Sequence, residues 1–255
     1  MFSIKNDNCK FENIDTVIFD KDGTFIDSHL YWGQIIRRRS SSIIDFYALP
    51  ENCFDEICLS MGFDTTGNIL TPQGPIALVP RSDVTVSVQK MLEKFKIDAQ
   101  KCDIERIFDN VHSEFRSTVE DGTCSHVKIL DGARELFRTL KKNNAKLAVI
   151  TADSNKNTQK ILEYLDIKEY FNLVMGKDDC EEPKRTGKPA LLALEALNSK
   201  PENTIVIGDS KMDSDLAKNA ALKGSIMVST GQTPFETLLS YSDFVVKSLR
   251  ELEIK

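Results

Sequence analysis

The chain has 255 residues, which is consistent with one large domain or two modest ones. Hydrophobic residues make up 41% and charged residues 28%, and these fractions exclude a disordered, a collagen-like or a low-complexity chain. The 33 basic and 39 acidic side chains give a net charge of −6, which argues against a protein that binds nucleic acid by neutralising its phosphates. We therefore expect a compact, soluble protein.

Signals for a membrane, a secretory pathway or a thiol-based metal site are absent from the sequence. No apolar run approaches the roughly 18 residues that a membrane-spanning helix needs, and the first ten residues lack the apolar segment of a secretory signal. The six cysteines form no CxxC pair, and the three histidines follow no metal-binding pattern. We expect a cytoplasmic protein that binds neither a membrane nor zinc.

The first clear strand in the chain is Thr16–Phe19, a β-branched and aromatic run that ends at an Asp-Lys-Asp-Gly turn. Between about Tyr31 and Gly122, apolar residues recur at spacings of three and four, which predicts helices over residues 31–49, 84–95 and 104–119. Within this part, residues 62–80 are rich in Gly, Pro and Asn, and we predict a loop or a small hairpin there. The sequence thus predicts a mostly helical insertion.

From about Val127 the pattern alternates between strands and helices. Apolar strands separated by amphipathic helices indicate a parallel sheet that is covered on both faces, and Thr16–Phe19 fits the centre of that sheet. The predicted fold class is α/β, a three-layer, Rossmann-like core interrupted by the helical insertion. The predicted elements are helix Gly132–Asn143, strand Lys146–Thr151, helix Asn155–Leu165, strand Leu173–Met175, helix Pro189–Asn198, strand Thr204–Ile207, helix Ser214–Ala221, strand Ser225–Val228 and strand Phe244–Val246.

Polar and charged residues follow the predicted strands at their carboxyl ends, where open parallel sheets bind ligands. Each residue alone would be ordinary turn chemistry. Their combination, in this order along the chain, predicts an active site at one edge of the sheet. The candidates are Asp20, Asp22, Gly23 and Thr24 after the first strand, Thr151 after the second, Lys184, Arg185 and Lys188 in the loop after the third, and Asp209 and Asp213 after the fourth.

These residues resemble the four motifs of the haloacid dehalogenase superfamily of phosphohydrolases. The matching segments are FDKDGT at 19–24, Thr151, Lys188 and GDSKMD at 208–213. The segment FIDS at 25–28 is similar to the one that leads into the helical cap of the branch containing phosphoglycolate phosphatase and β-phosphoglucomutase. The resemblance implies a catalytic core formed by residues 1–28 and 125–255 and a cap domain formed by residues 29–124.

A divalent cation is expected at this site on electrostatic grounds. Four carboxylates against one lysine leave a formal charge of −3. At about 5 Å and an effective dielectric constant of about 20, each like-charged pair costs roughly 3 kcal/mol, so the bare site should reject a phosphate. Mg²⁺ suits oxygen ligands. The resemblance implies that Asp20, the main-chain carbonyl of Asp22, and Asp209 hold it, while Asp213 orients waters or holds Lys188.

The resemblance also implies a reaction in which Asp20 attacks phosphorus and forms an aspartyl-phosphate. Asp22 would protonate the leaving alkoxide and later deprotonate the hydrolytic water. We favour Lys188 over Lys184 and Arg185 as the charge-neutralising cation, because the Pro that follows Lys188 suits a first helical turn. The implied phosphate ligands are the hydroxyl of Thr151, the amides of Gly23, Thr24 and Ala152, and the ammonium group of Lys188.

A helical cap would favour small phosphorylated metabolites as substrates. Within the insertion, the candidate substrate contacts are His29, Tyr31, Trp32 and Arg81. Arg81, expected in a loop between helices, is the preferred one, because a guanidinium can grip a carboxylate or a second phosphate with two hydrogen bonds.

Alternatives to a phosphatase remain open at this point. A hexose-phosphate mutase would keep all four motifs, and a catalytically idle binding module could reuse the scaffold, although the crowded pair Asp20 and Asp22 argues against the latter. A dehalogenase would not need Asp22. A phosphonatase would need a cap lysine for a Schiff base, and Lys90, Lys94 and Lys96 have the pattern of a solvated surface. The oligomeric state is left open.

Overall fold

The computed structural model describes residues 1–76 and 78–255. Ala77, which belongs to the predicted loop 62–80, lies outside the described residues. The strands are β1 (Phe2–Lys5), β2 (Lys10–Ile14), β3 (Thr16–Phe19), β4 (Phe63–Asp64), β5 (Ile69–Leu70), β6 (Lys146–Ile150), β7 (Leu173–Met175), β8 (Thr204–Gly208), β9 (Gly224–Val228), β10 (Val245–Val246) and β11 (Glu253–Ile254). The α-helices are α1 (Ser28–Tyr47), α2 (Phe54–Ser60), α3 (Arg81–Glu93), α4 (Lys101–Glu120), α5 (Ala133–Lys142), α6 (Asn155–Tyr164), α7 (Lys188–Leu197), α8 (Lys211–Asn219) and α9 (Phe235–Leu238).

A six-stranded parallel sheet forms the centre of the larger unit, with the order β10-β9-β8-β3-β6-β7. All four residues of β3 are buried, because helices cover both faces of the sheet and neighbouring strands pair with both edges of β3. This confirms the predicted α/β class and the central position of the first strand.

The two faces of this sheet have different packing. On one face, Ile18 of β3 belongs to a cluster with small residues of α7 and α8, such as Ala193 and Ala217. On the other face, four phenylalanines pack edge-to-face or stacked with ring centroids 5.1 to 6.4 Å apart: Phe19, Phe25, Phe137 and Phe171. The alternation of Ile18 and Phe19 along β3 thus assigns one side chain to each face.

A small antiparallel sheet with the order β11-β1-β2 was not predicted from the sequence. Its strands β1 and β11 pair Ile4 with Ile254, so it joins residues from the two ends of the chain. Its strands are short, and β2 alternates only weakly between buried and exposed residues. Local periodicity therefore carries little signal for it.

The described chain divides into two compact units, Met1–Asp27 with Lys128–Lys255, and Ser28–Val127. The second unit contains α1 to α4 and the hairpin of β4 and β5, where Phe63 pairs with Leu70. Its core is a cluster that includes Ile36, Ile57 and Phe108 from three of these helices. In the described part of the chain, no helix has the length and apolar character needed to cross a membrane.

Candidate active site

Three parallel strands deliver the first site residues to the same edge of the sheet. Phe19, the last residue of β3, is in register with Val149 of β6 and Ile207 of β8. The amide of Asp20 continues this ladder and donates to the carbonyl of Ile207 at 2.9 Å. The residues that follow these strands, Asp20, Thr151 and Asp209, therefore emerge side by side, as the sequence predicts.

The loop after β3 is a tight turn that requires glycine at position 23. Gly23 has φ +83°, and a Cβ there would lie 2.4 Å from the Asp209 carboxylate. A Cβ on Gly231 would approach the same carboxylate even more closely, at 1.7 Å. The two glycines together form a cradle around Asp209 that any side chain would fill.

Three carboxylates crowd at this edge. Asp20, Asp209 and Asp213 each place one oxygen within 4.8 Å of the others, and Asp209 and Asp213 are buried. Burial, together with the charge of Asp213, raises the pKa of Asp20 to about 7, even though Lys184 opposes the shift. Burial and the charges of Asp20 and Asp213 raise the pKa of Asp209 well above its ordinary value. The cluster therefore favours binding of a cation.

Lys184, not Lys188, is the cation at this site, so the prediction for Lys188 is wrong. The Lys184 Nζ lies 2.5 Å from Asp20 Oδ1 and 2.6 Å from Asp213 Oδ1. Burial disfavours the charged ammonium, but the carboxylates of Asp20 and Asp213 outweigh it and raise the pKa of Lys184. Lys188 is exposed at the start of α7, and its described contact is the hydrogen bond from its amide to Thr186 Oγ1.

The turn before α7 explains why the earlier lysine reaches the site. Residues Lys184–Thr186 form one 3₁₀ turn after Pro183, and Gly187 closes it with φ +83°. This turn packs against α8, where Asn219 Nδ2 donates to the carbonyl of Arg185 at 2.7 Å. The Lys-Pro pair at 188 correctly marks the start of a helix, but that start lies one turn beyond the active-site lysine.

Asp213 has a structural role at the start of α8. Its Oδ2 accepts hydrogen bonds from the amide and the hydroxyl of Ser210, at 3.0 and 2.8 Å, in a capping box. Its Oδ1 faces Lys184. Both oxygens are thus engaged by protein groups, so Asp213 fixes the lysine rather than offering a free ligand atom.

Asp22 belongs to a second buried ion cluster. Lys21, which is fully buried, places its Nζ 2.8 Å from Asp22 Oδ1 and 3.2 Å from Asp153 Oδ2. Burial raises the pKa of Asp22, and Lys21 opposes that shift. Burial alone would raise the pKa of Asp153, but the charge of Lys21 and the hydrogen bond from Asn157 outweigh burial and lower this pKa. Neither Lys21 nor Asp153 was singled out by the sequence motifs as a site residue.

The main-chain amides expected to bind phosphate are partly used elsewhere. Gly23 donates to the carbonyl of Ile26 at 2.8 Å and Thr24 to that of Lys21 at 3.3 Å, so both amides have acceptors within the loop itself. Among the described residues, the amides of Asp22 and Ala152 have no hydrogen-bond acceptor. These two remain available for an anion.

The hydroxyl of Thr151 lies at the end of β6 and accepts a hydrogen bond from the amide of Asp153 at 3.2 Å. Thr151 is buried, and its own amide donates to the carbonyl of Met175 at 3.1 Å. Its position beside Asp20 follows from the register of β3 and β6.

The donor atoms at the edge of the sheet fit a hard divalent cation such as Mg²⁺. All are oxygens, they are crowded, and the glycine cradle leaves space against the Asp209 carboxylate. Asp20 and Asp209 would hold such an ion with their side chains. The main-chain carbonyl of Asp22 remains the third ligand that the motif resemblance implies.

The candidate substrate residues of the helical unit have partners within that unit. Arg81 is the first residue of α3 rather than a loop residue, and it donates to Asp109 Oδ1 at 2.7 Å and to the carbonyl of Glu105 at 2.8 Å. It therefore ties α3 to α4, which contradicts its placement in a free loop. His29 Nδ1 accepts from the amide of Leu70 at 3.0 Å.

The aromatic candidates are part of the same helical unit. Trp32 packs edge-to-face on Tyr31, with ring centroids 5.2 Å apart, and it is partly buried against the core of the unit. The basic run Arg37–Arg39 has the pattern of a solvated helix face, but Arg39 is buried, with its guanidinium carbon 4.0 Å from the centroid of the Phe108 ring. Burial and the nearby charge of Arg81 lower the pKa of Arg39 to about 9.

Comparison with known proteins agrees with the fold and shows the family. The sequence profile of the haloacid dehalogenase-like hydrolases matches residues 14–221. The phosphoglycolate phosphatase of Shigella dysenteriae is 26% identical over 250 residues, covering 95% of this chain and 92% of that protein. The chain therefore belongs to the haloacid dehalogenase-like hydrolases, and the predicted family is confirmed.

Solved structures show the same fold at lower sequence identity. A protein described as a predicted phosphoglycolate phosphatase of Haemophilus somnus superposes with a TM-score of 0.72 at 17% identity, covering 94% of this chain and 97% of that one. A β-phosphoglucomutase of Clostridium difficile superposes with a TM-score of 0.62 at 21% identity, covering 93% and 92% of the two chains. The architecture is thus shared by hydrolases and mutases.

Proposed function

We propose that the protein is a Mg²⁺-dependent phosphatase that hydrolyses a small phosphomonoester through an aspartyl-phosphate on Asp20. The observation that carries this proposal is the arrangement around Asp20, where a carboxylate at the end of the central strand faces Lys184 and shares its edge with Asp209. Such a site neutralises the charge of a phosphoryl group next to a nucleophile, which is the main requirement of phosphoryl transfer.

In the first step, the free Oδ of Asp20 forms a bond to phosphorus while the bond between phosphorus and the leaving oxygen breaks. The proton that the leaving oxygen needs comes from Asp22, whose pKa is raised by burial. In the second step, a water oxygen bonds to phosphorus, its proton goes to Asp22, and the bond to Asp20 breaks. Asp20 and Asp22 thereby return to their starting states.

The remaining residues hold the phosphoryl group. The Lys184 ammonium lies between Asp20 and Asp213 and supplies positive charge beside the nucleophile. The hydroxyl of Thr151 and the amides of Asp22 and Ala152 would donate hydrogen bonds to the equatorial oxygens. When bound, Mg²⁺ supplies the charge that the crowded carboxylates of Asp20 and Asp209 need before a phosphate dianion can approach.

The proposed substrates are small phosphorylated metabolites, beginning with 2-phosphoglycolate. The support is the name of the relatives that match 95% of the chain at 26% to 27% identity. We also propose that the helical unit Ser28–Val127 is a cap that restricts access to the catalytic unit. A cap of this kind would favour small metabolites over proteins and nucleic acids as substrates.

The test is phosphate release from a panel that contains 2-phosphoglycolate, sugar phosphates, nucleoside monophosphates and p-nitrophenyl phosphate. We expect turnover with Mg²⁺, none with EDTA, and none in Asp20→Asn. The matched control is Asp215→Asn, which changes a carboxylate of α8 that pairs with Lys211 at the surface and should leave turnover within about twofold.

Two results would contradict the proposal. Turnover that persists in Asp20→Asn would exclude Asp20 as the nucleophile. Absence of phosphate release, together with transfer of label from a sugar bisphosphate to a sugar phosphate, would identify a hexose-phosphate mutase instead.

A further inference from the structure

We propose that Lys21 and Asp153 position the Asp22 carboxyl so that its Oδ2 is the oxygen that delivers the proton to the leaving group. This inference rests on the proposed function, because it concerns the proton-transfer step of that reaction. It assigns a role to the residue between the two motif aspartates and to a residue of the loop after β6.

The ammonium group of Lys21 pairs with one carboxylate oxygen of Asp22, and the second oxygen, Oδ2, is the one that we assign to proton transfer. The Nζ of Lys21 lies 2.8 Å from Asp22 Oδ1. A carboxyl group donates a proton usefully only when the protonated oxygen points at the acceptor, within hydrogen-bond distance. With Oδ1 occupied by an ammonium group, a proton on Asp22 resides on Oδ2. The contact thus selects both the rotamer and the proton-bearing atom.

Lys21 in turn is held by a carboxylate on the neighbouring loop. Its Nζ lies 3.2 Å from Asp153 Oδ2, and the Lys21 side chain has no exposed surface. Asp153 is fixed on both oxygens, because Asn157 Nδ2 donates to Oδ2 at 2.6 Å and the amide of Ser154 donates to Oδ1 at 2.7 Å. The carbonyl of Asp153 also accepts from the amide of Lys177 at 2.8 Å.

The anchored position of Asp153 connects the proton donor to the phosphate-binding loop. Asp153 lies two residues after Thr151, and its amide donates to the Thr151 hydroxyl. The chain of contacts therefore runs from α6, through Asp153 and Lys21, to Asp22 on the loop after β3. The proton donor on the loop after β3 is thereby fixed relative to the group that holds the phosphate, which is what orientation requires.

A buried lysine is costly unless it is paired, so the ion pairs of Lys21 also stabilise the fold. This stabilising role and the proposed positioning role differ in the substrates that they affect. A structural ion pair would affect all substrates equally through the amount of folded protein. A positioning role affects only substrates whose leaving group needs a proton. Phenyl phosphate and p-nitrophenyl phosphate have nearly the same shape, but the nitrophenolate leaves without protonation and the phenolate needs it far more.

The experiment measures kcat/KM for these two esters in Lys21→Met, with Asp153→Asn as a second variant that retains shape if the first does not fold. We expect kcat/KM for phenyl phosphate to fall by about 100-fold and that for p-nitrophenyl phosphate by about 10-fold or less. The control is Asn155→Ala on α6, the helix that also carries Asn157. The Asn155 side chain donates to the carbonyl of Val174 and to the carboxylate of Asp179, and not to this cluster. It should leave the ratio of the two values unchanged.

Equal losses for both esters in Lys21→Met and Asp153→Asn, with folding confirmed by thermal denaturation, would overturn the inference and leave the phosphatase proposal intact. A wild-type protein that cleaves neither ester, or an Asp20→Asn variant that cleaves both, would contradict the proposed function and this inference with it.

Discussion

Lys184 is the residue whose position most directly controls the charge next to Asp20. Its ammonium lies within 2.6 Å of oxygens from both Asp20 and Asp213, and its side chain is nearly fully buried. A neutral side chain there would leave two buried carboxylates without their cation. In a low-dielectric site, such a preorganised charge contributes more to the transition state than it would in water.

We predict that Lys184→Met lowers kcat of phosphate release by about 10² to 10³-fold, the usual cost of removing one preorganised group that stabilises transition-state charge. Lys188→Met is the matched control, because Lys188 is also a lysine, lies four residues later in the chain and is exposed to solvent. Its kcat should stay within about threefold of wild type. A large loss in Lys188→Met with little loss in Lys184→Met would contradict the assignment.

His126 gives the helical unit a specific pH dependence of stability. The ring packs on Phe115 and Tyr31, with centroids 4.2 and 5.8 Å away, and burial lowers its pKa to about 4. Above the unfolded pKa of about 6.5, both states are neutral and the contribution to stability is complete. As pH falls from about 6.5 to about 4, only the unfolded state binds the proton, so stability decreases.

Between pH 7 and pH 5, this single group should reduce the free energy of unfolding by about 2 kcal/mol. Urea denaturation of wild type and His126→Phe at pH 7, 6 and 5 measures it, and the variant should lose correspondingly less stability over this range. His112→Asn serves as the control, since His112 is only partly buried. A variant with the same pH dependence as wild type would show that His126 does not carry the effect.

At the scale of elements, α8 links a helix cap to the active site. The capping box of Ser210 and Asp213 starts the helix, and the same Asp213 fixes Lys184. Sequence periodicity predicts this helix from Ser214, whereas it begins at Lys211. The segment GDSKMD at 208–213, which the motif resemblance places in the active site, thus also supplies the cap and the first turn of α8.

We predict that Ser210→Ala lowers the free energy of unfolding by about 1 kcal/mol, because the N-cap hydroxyl that donates to Asp213 Oδ2 is lost while the amide bond remains. It should also lower kcat, since Asp213 loses one of the groups that orient it toward Lys184. Chemical denaturation and steady-state kinetics test both parts. Ser240→Ala, an exposed hydroxyl that bonds Thr237, should change stability by less than about 0.5 kcal/mol.

The elements that sequence patterns predict well are those with strong local periodicity. Strands β3, β6, β7, β8 and β9 lie within a residue or two of their predicted positions, because buried parallel strands form short apolar runs. The small sheet of β1, β2 and β11 was missed, since it pairs residues some 250 positions apart, Ile4 with Ile254. Helix α2 was also missed, because seven residues show too little of the helical period.

The candidate site could be predicted where a residue directly follows a strand. Asp20, Thr151 and Asp209 depend only on sheet order, and they lie together as expected. The presence of Lys184 at the site depends on the path of a loop, which sheet order does not determine. The role of Asp153 depends on its contact with Lys21, and no sequence pattern encodes the direction of the Lys21 side chain. Arg81 was predicted to contact substrate from a loop, because no local pattern reveals its partner Asp109, which is 28 residues away.

At the scale of the whole molecule, the active site should reduce stability until a cation binds. Burial and neighbouring carboxylates raise the pKa of Asp209 well above its ordinary value, so the folded state resists the charge that catalysis needs. Functional sites commonly carry such a cost to stability.

We predict that Asp209→Asn is more stable than wild type by at least about 1 kcal/mol in EDTA, because it removes a buried like charge. With Mg²⁺ at about 100 times its dissociation constant, the wild type should gain about 2.7 kcal/mol and the variant much less. Thermal denaturation with and without Mg²⁺ tests this, with Asp215→Asn as the surface control. Equal stabilisation of both proteins by Mg²⁺ would contradict a cation site at Asp209.

The central claim is that Asp20 carries the phosphoryl group during turnover. In the most direct measurement, the enzyme is quenched in acid during hydrolysis of its best ester and the protein is reduced with borohydride. The modified residue is then identified by peptide mass spectrometry. An acyl phosphate on Asp20 is reduced to homoserine, so the account predicts homoserine at position 20 in enzyme quenched with substrate and unmodified Asp20 without it. Rapid turnover with no trapped adduct at position 20, or an adduct at another carboxylate, would contradict it.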